Sequence, residues 1–104
     1  MRDLGSDHAV FGISVTSELT GVQPQALRDY EARGLLDPHR TAGGTRRYST
    51  SDVELVNRIA TLLASGLNLA GARRVLELEA ETAQLRAEVN SLRKRRVNAS
   101  DQPL

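Results

Sequence analysis

Cysteine and tryptophan are absent from this 104-residue chain, and its aromatic residues are Phe11, Tyr30 and Tyr48 alone. Without cysteine there is no disulfide, no thiolate metal site and no thiol redox sensor, a composition compatible with the cytoplasm. No apolar run approaches the roughly 18 residues of a membrane span. The opening MRDLGSDHAVFG has no apolar centre of the kind an export signal carries. With so few aromatics the core has to be aliphatic and small, so a partner subunit would add to its stability. The length allows one domain, or one small domain with an extension. A strong net charge is also lacking: the sum is +1, but residues 23–50 hold five Arg against three acids and residues 80–104 hold five Lys/Arg against three. An anionic partner is to be sought at those two stretches.

Residues 1–10 are polar and unpatterned and read as a mobile arm. Ser14 offers an N-cap to VTSELT, with Val15 and Leu19 four apart on one face and Gly21 as the stop. Gln23-Pro24 opens a second helix, since proline at the first helical position loses nothing by having no N–H. Leu27, Tyr30 and Leu35 give it a thin apolar stripe, and Gly34 ends it. Two short helices joined by such a turn make a helix-turn-helix pattern. Asp37-Pro38 then marks a turn, and AGG at 42–44 permits a hairpin tip between HRT and TRRYS. A polar two-stranded ribbon of this length is marginal unless it packs on a neighbour. It reads as a wing.

A third helix is expected from a capping box at Ser51 and Glu54, with Val56, Ile59 and Leu63 inward and Gly66 closing it. Asn68 caps a last helix expected from Leu69 to about Arg96. Val75, Thr82 and Val89 fall at heptad position a, and Leu78, Leu85 and Leu92 at d. The chain has no second helix of similar length to cover that seam. A homodimeric coiled coil is therefore expected, with residues 97–104 as a flexible tail. The fold class is mainly α: a winged helix-turn-helix head over residues 11–67 and a dimerisation helix over 68–96.

ISVTSELTGVQPQALRDYEARGLL followed by GGTRRYSTSDVELVNRI resembles the MerR-type transcription regulators. Within that family, LLDPHRTAGGTRRYS and GLNLAGARRVLELE look most like the HspR heat-shock repressors. The resemblance covers roughly residues 11–80. It departs from the family pattern TLRYYE in having Ala26 for the threonine and Asp29 where an aromatic or aliphatic residue usually stands. Gln23 replaces the common serine cap, and is the weaker capping residue.

Gln25, in the first turn of the second helix, is expected to reach base edges, where a glutamine amide can pair with adenine. Arg28 matches the family's LR position and contacts phosphate or guanine, unless Asp29 or Glu31 holds it. Tyr30 matches the family tyrosine and either gives its hydroxyl to phosphate or belongs to the core. Arg46 and Arg47 alternate faces on a strand, so one meets DNA while the other packs, and Arg40 opposite is a weaker candidate. Tyr48 braces the wing or donates to phosphate. Gly43 and Gly44 turn the tip. His8 and His39 are too isolated for a metal site, and no constellation of acids and nucleophiles suggests an enzyme.

The partners expected are double-stranded DNA and a second copy of the chain. Resemblance to the heat-shock repressors implies the chaperone DnaK as co-repressor and chaperone operons as targets. With no cysteine and only about a dozen polar residues after the heptads, no cofactor or small-molecule ligand is expected. The family pairs its long helices antiparallel, whereas the flanking charges favour a parallel register: Arg74 with Glu79, Glu81 with Arg86, Glu88 with Arg93. Two other functions fit the same pattern, a MerR-type activator that distorts promoter DNA and a coiled-coil adaptor with a degenerate head.

Overall fold

The computed structural model describes residues 8–101. In chain order the elements are β1 (Ala9–Phe11), α1 (Ile13–Thr20), α2 (Pro24–Ala32), β2 (His39–Arg40), β3 (Arg46–Ser49), α3 (Thr50–Ala64) and α4 (Leu69–Asp101). The chain divides into two compact units, one running to Ala72 and the other starting at Arg73.

In the first unit, α1 turns into α2 through Gly21, which sits at φ 73° in the left-handed region. Val22 in that turn gives its N–H to Thr20 Oγ1 (3.2 Å), and its carbonyl accepts from Ser17 Oγ (2.7 Å). Ser14 lies inside α1 and is not its cap; Gly12 takes that place with no side-chain capping bond. The expected apolar stripe is also displaced: Val15 and Leu19 are 46% and 55% exposed, and the buried residue of α1 is Thr16. Its hydroxyl donates to the Gly12 carbonyl at 2.8 Å, which removes the polar cost of burying it. A residue counted as polar therefore holds the inward position.

α2 follows expectation more closely. Pro24 occupies the start of the helix. Gly34, at φ 76°, closes it in a Schellman motif, with Gly34 N–H to Glu31 O (3.0 Å) and Leu35 N–H to Tyr30 O (2.9 Å). Leu27, Tyr30 and Leu35 are all buried.

The three strands form one antiparallel sheet in the order β1-β3-β2. Ala9 and Val10, expected in a mobile arm, belong to β1, which pairs Phe11 with Tyr48 across an irregular register. Three residues are too few to show alternation, and the pairing partner lies some forty positions away. Residues 1–7 of that arm lie outside the described residues. The wing is thus the free edge of a braced sheet. At its tip Gly44 has φ 86°, the conformation that needs glycine, while Gly43 does not.

β3 runs straight into α3, and Ser49 serves both. Its hydroxyl accepts from Asp52 N–H (3.0 Å) and its own N–H reaches Asp52 Oδ2 (2.9 Å). This capping box replaces the one expected at Ser51 and Glu54; the two patterns overlap, and the end of the strand selects the earlier. Val56, Ile59 and Leu62 are buried, with Leu63 half-buried beside them.

Asn68 caps α4 as expected, its Oδ1 accepting from Gly71 N–H at 2.8 Å. The helix has 33 residues, about 50 Å at 1.5 Å per residue. Residues 97–101, expected in a flexible tail, continue it, and 102–104 lie outside the described residues. Along the heptad seam Leu78, Leu85, Val89 and Leu92 are 44–60% exposed. Thr82 is exposed and Val75 half-buried. Among the described residues no helix is long and apolar enough to cross a membrane.

Candidate nucleic-acid interface

Burial of Leu27 and Tyr30 fixes which way α2 faces. Gln25, Arg28, Asp29 and Ala32, spaced three and four apart, form its exposed stripe. Gln25 Nε2 donates to Asp29 Oδ1 at 3.2 Å. Arg28 is exposed, and its charge acts on the Tyr48 hydroxyl.

The edge of α2 toward the wing carries Glu31, expected as an alternative partner of Arg28 and paired instead with the wing. Its Oε1 accepts from Arg46 Nε at 2.6 Å and its Oε2 from Arg40 Nη2 at 2.8 Å. The Arg46 hydrogen bond, with Arg40 adding to it, holds the Glu31 carboxyl below the usual glutamate range, against partial desolvation. The same contact raises the Arg46 guanidinium above its ordinary value. Arg40 further donates from Nη1 to the Gly44 carbonyl at 3.1 Å, tying down the wing tip. A signal for Glu31 did exist. The hairpin register sets Arg40 opposite Arg46, and like charges directly opposed on a sheet are destabilising, a repulsion that an anion between them relieves.

Two wing arginines are therefore committed inside the head. Arg40 remains 45% exposed at its side chain and Arg46 26%. The triad keeps one net positive charge, so it still contributes to the local field. Arg47, on the other face of β3, crosses toward α1: its Nη1 lies 3.8 Å from where a Cβ on Gly12 would stand. Tyr48 is fully buried, and its hydroxyl has no hydrogen-bond partner among the described residues. Burial pushes both tyrosine hydroxyls up, Tyr30 and Tyr48 alike. Tyr48 thus braces the wing, and direct donation to phosphate does not fit its position. Magnitudes separate the two anchors. Burying a large apolar side chain is worth about 1.5–3 kcal/mol, a surface ion pair about 0–1 kcal/mol. By that measure the buried Tyr48 ring is the stronger anchor of the wing and the Glu31 ion pairs the weaker one.

Among the described residues no three His, Asp or Glu side chains converge as a metal site would require. His8 and His39 are both exposed.

A helix-turn-helix whose second helix presents a polar stripe beside a basic wing is the geometry of a double-helix reader. The family model described as MerR HTH family regulatory protein matches residues 11–79. The chain belongs to the MerR family. Among its MerR-family relatives, the putative heat shock protein HspR of Streptomyces coelicolor is 45% identical over 91 residues, covering 86% of this chain. This chain spans 60% of that relative's length. The HTH-type transcriptional regulator GlnR of Bacillus anthracis is 34% identical over 88 residues, covering 82% of this chain and 68% of its own. The fold is shared with HiNmlR, a MerR family regulator lacking the sensor domain and crystallised with promoter DNA. There the TM-score is 0.64 at 22% identity, over 86% of this chain and 71% of the other. Against the MerR-type pattern, Asp29 is the departure that the structure explains in part: its carboxylate is engaged by Gln25 on the exposed stripe.

Proposed function

We propose that this chain is a homodimeric, sequence-specific DNA-binding repressor that reads an inverted repeat, and that it is not an enzyme. The observation that carries this is the exposed stripe of α2, whose polar side chains have no packing duty, set beside a wing anchored through Glu31. Gln25 reads a base edge, Arg28 grips phosphate or guanine, and Arg47 makes the wing's backbone contact. Arg40 and Arg46 add field and hold the wing, while Tyr30 and Tyr48 support the two elements from within. Residues 11–67 act as the reading head and 68–96 as the dimerisation segment, joined to a second copy through Val75, Leu78, Thr82, Leu85, Val89 and Leu92. The family arrangement supports antiparallel pairing.

Similarity to the Streptomyces heat shock protein HspR supports chaperone genes as targets, the chaperone DnaK as co-repressor, and a cytoplasmic site of action on the nucleoid. With about four phosphate contacts per chain, a dimer neutralises about eight, and log affinity falls with log salt at a slope near −7.

Fluorescence anisotropy on an operator duplex tests the reading. Arg28→Ala and Arg47→Ala should each weaken binding and flatten the salt slope by about two per dimer. If both variants bind as the parent does, the repressor reading fails and a protein adaptor takes its place. Addition of DnaK should tighten binding; an unchanged affinity keeps the repressor and removes DnaK.

A further inference from the structure

The Gln25–Asp29 contact has a consequence for which base is read. We propose that Asp29 is a positioning residue whose carboxylate locks the Gln25 amide in one orientation, so that the pair selects adenine and rejects guanine at one position of each half-site. This rests on the DNA-binding reading above.

A free glutamine amide can present its oxygen or its nitrogen to a given point by rotating half a turn, and it recognises a donor or an acceptor accordingly. An ionised carboxylate has no proton to give. Beside Asp29, Gln25 must turn Nε2 inward, as the 3.2 Å bond from Nε2 to Asp29 Oδ1 shows. One Nε2–H and the acceptor Oε1 are then left for an outside partner, in a fixed order along the helix. Adenine's major-groove edge offers the complement, a donor at N6 and an acceptor at N7, whereas guanine offers acceptors at both O6 and N7. Against guanine, Oε1 would meet O6 oxygen to oxygen, with the Asp29 charge behind it.

Placement supports the same role. Gln25 and Asp29 are both exposed, four apart on the stripe opposite the buried Leu27 and Tyr30. Gln25 stands in the first turn of α2, the part of a recognition helix that meets base edges. A carboxylate near phosphates weakens binding to every sequence, so its presence on this stripe calls for a compensating gain. Discrimination against a wrong base is such a gain.

The test is selection from a randomised duplex library by the full-length chain and by Asp29→Ala, Asp29→Glu and Gln25→Ala, each shown by circular dichroism to be folded. The parent should enrich a motif with adenine strongly favoured at one position per half-site. Asp29→Ala should lower the adenine-to-guanine ratio there by about tenfold, the scale of one bidentate base contact, and leave the other positions alone. Asp29→Glu, whose longer carboxylate still reaches Gln25, should restore the ratio. Gln25→Ala should lose it, and adding Asp29→Ala to that variant should change it no further. Relief of phosphate repulsion alone predicts something else: Asp29→Ala would tighten all sequences equally with base ratios unchanged. That result overturns the proposal and leaves the DNA-binding reading standing. If the parent enriches no motif, both fall.

Discussion

The head and the long helix use similar aliphatic residues to opposite ends. Leu27, Val56, Ile59 and Tyr48 in the head are fully buried. Leu78, Leu85 and Leu92 on α4 keep about half their surface in solvent. The difference lies in arrangement. In the head, short elements end at Gly21, Gly34 and Gly66, all at positive φ, and fold back on a shared core, to which α1 contributes Thr16 while Val15 and Leu19 stay exposed. α4 has no such break after Gly71, so its apolar seam can be covered only from outside its own segment. The head carries its own core, and the helix carries half of one.

The most severe way to break that comparison is to charge the seam. Leu85→Glu should raise the dimer dissociation constant by more than about a hundredfold, because an unpaired charge buried at an interface costs roughly 3–5 kcal/mol. The head should stay folded throughout. Sedimentation equilibrium reads the first outcome and circular dichroism the second. Ile59→Ala reverses the pattern: the head loses about 2–5 kcal/mol, seen as a lower urea midpoint, while helicity and self-association through α4 persist under native conditions.

Within the head, Glu31→Gln removes a negative charge near DNA and yet should weaken binding a few-fold, because the wing loses the anion that Arg40 and Arg46 share. The sign for pH follows from the depressed Glu31 value. Its contribution is complete above the ordinary glutamate value, about 4.3, and is lost as pH falls through the lower folded value. Acid titration of wing stability should show that loss in the parent and not in Glu31→Gln. Tyr48→Phe is expected to have the smallest effect. It deletes a buried hydroxyl with no partner among the described residues, so stability should change by less than about 1 kcal/mol or rise, and DNA affinity should hold. A large loss of affinity would mean that the hydroxyl reaches phosphate after a rearrangement.

Much of the head was legible because caps and the 3.6-residue period are local signals. Pro24, Gly21, Gly34 and the Leu27–Tyr30–Leu35 face could be read from neighbours a few positions apart. What escaped depends on distant partners. β1 is defined by pairing with β3, and Ser49 rather than Ser51 caps α3 because a strand ends there. Thr16 fills an inward position that hydrophobicity assigns to Val15 or Leu19. At the candidate site, Gln25 was singled out by helix position and Arg28 by its match to the family's LR position, and both are exposed on α2. The sorting of the wing arginines was not, since it turns on Glu31 folding against a hairpin nine and fifteen residues away.

The most direct measurement is the mass of the complex formed on a duplex carrying one inverted repeat, by analytical ultracentrifugation. Two chains per duplex are expected for the parent, with the complex lost or greatly weakened in Leu85→Glu. A single chain bound per duplex, held as tightly by Leu85→Glu as by the parent, would contradict the view that the half-core of α4 exists to bring two reading heads to one site.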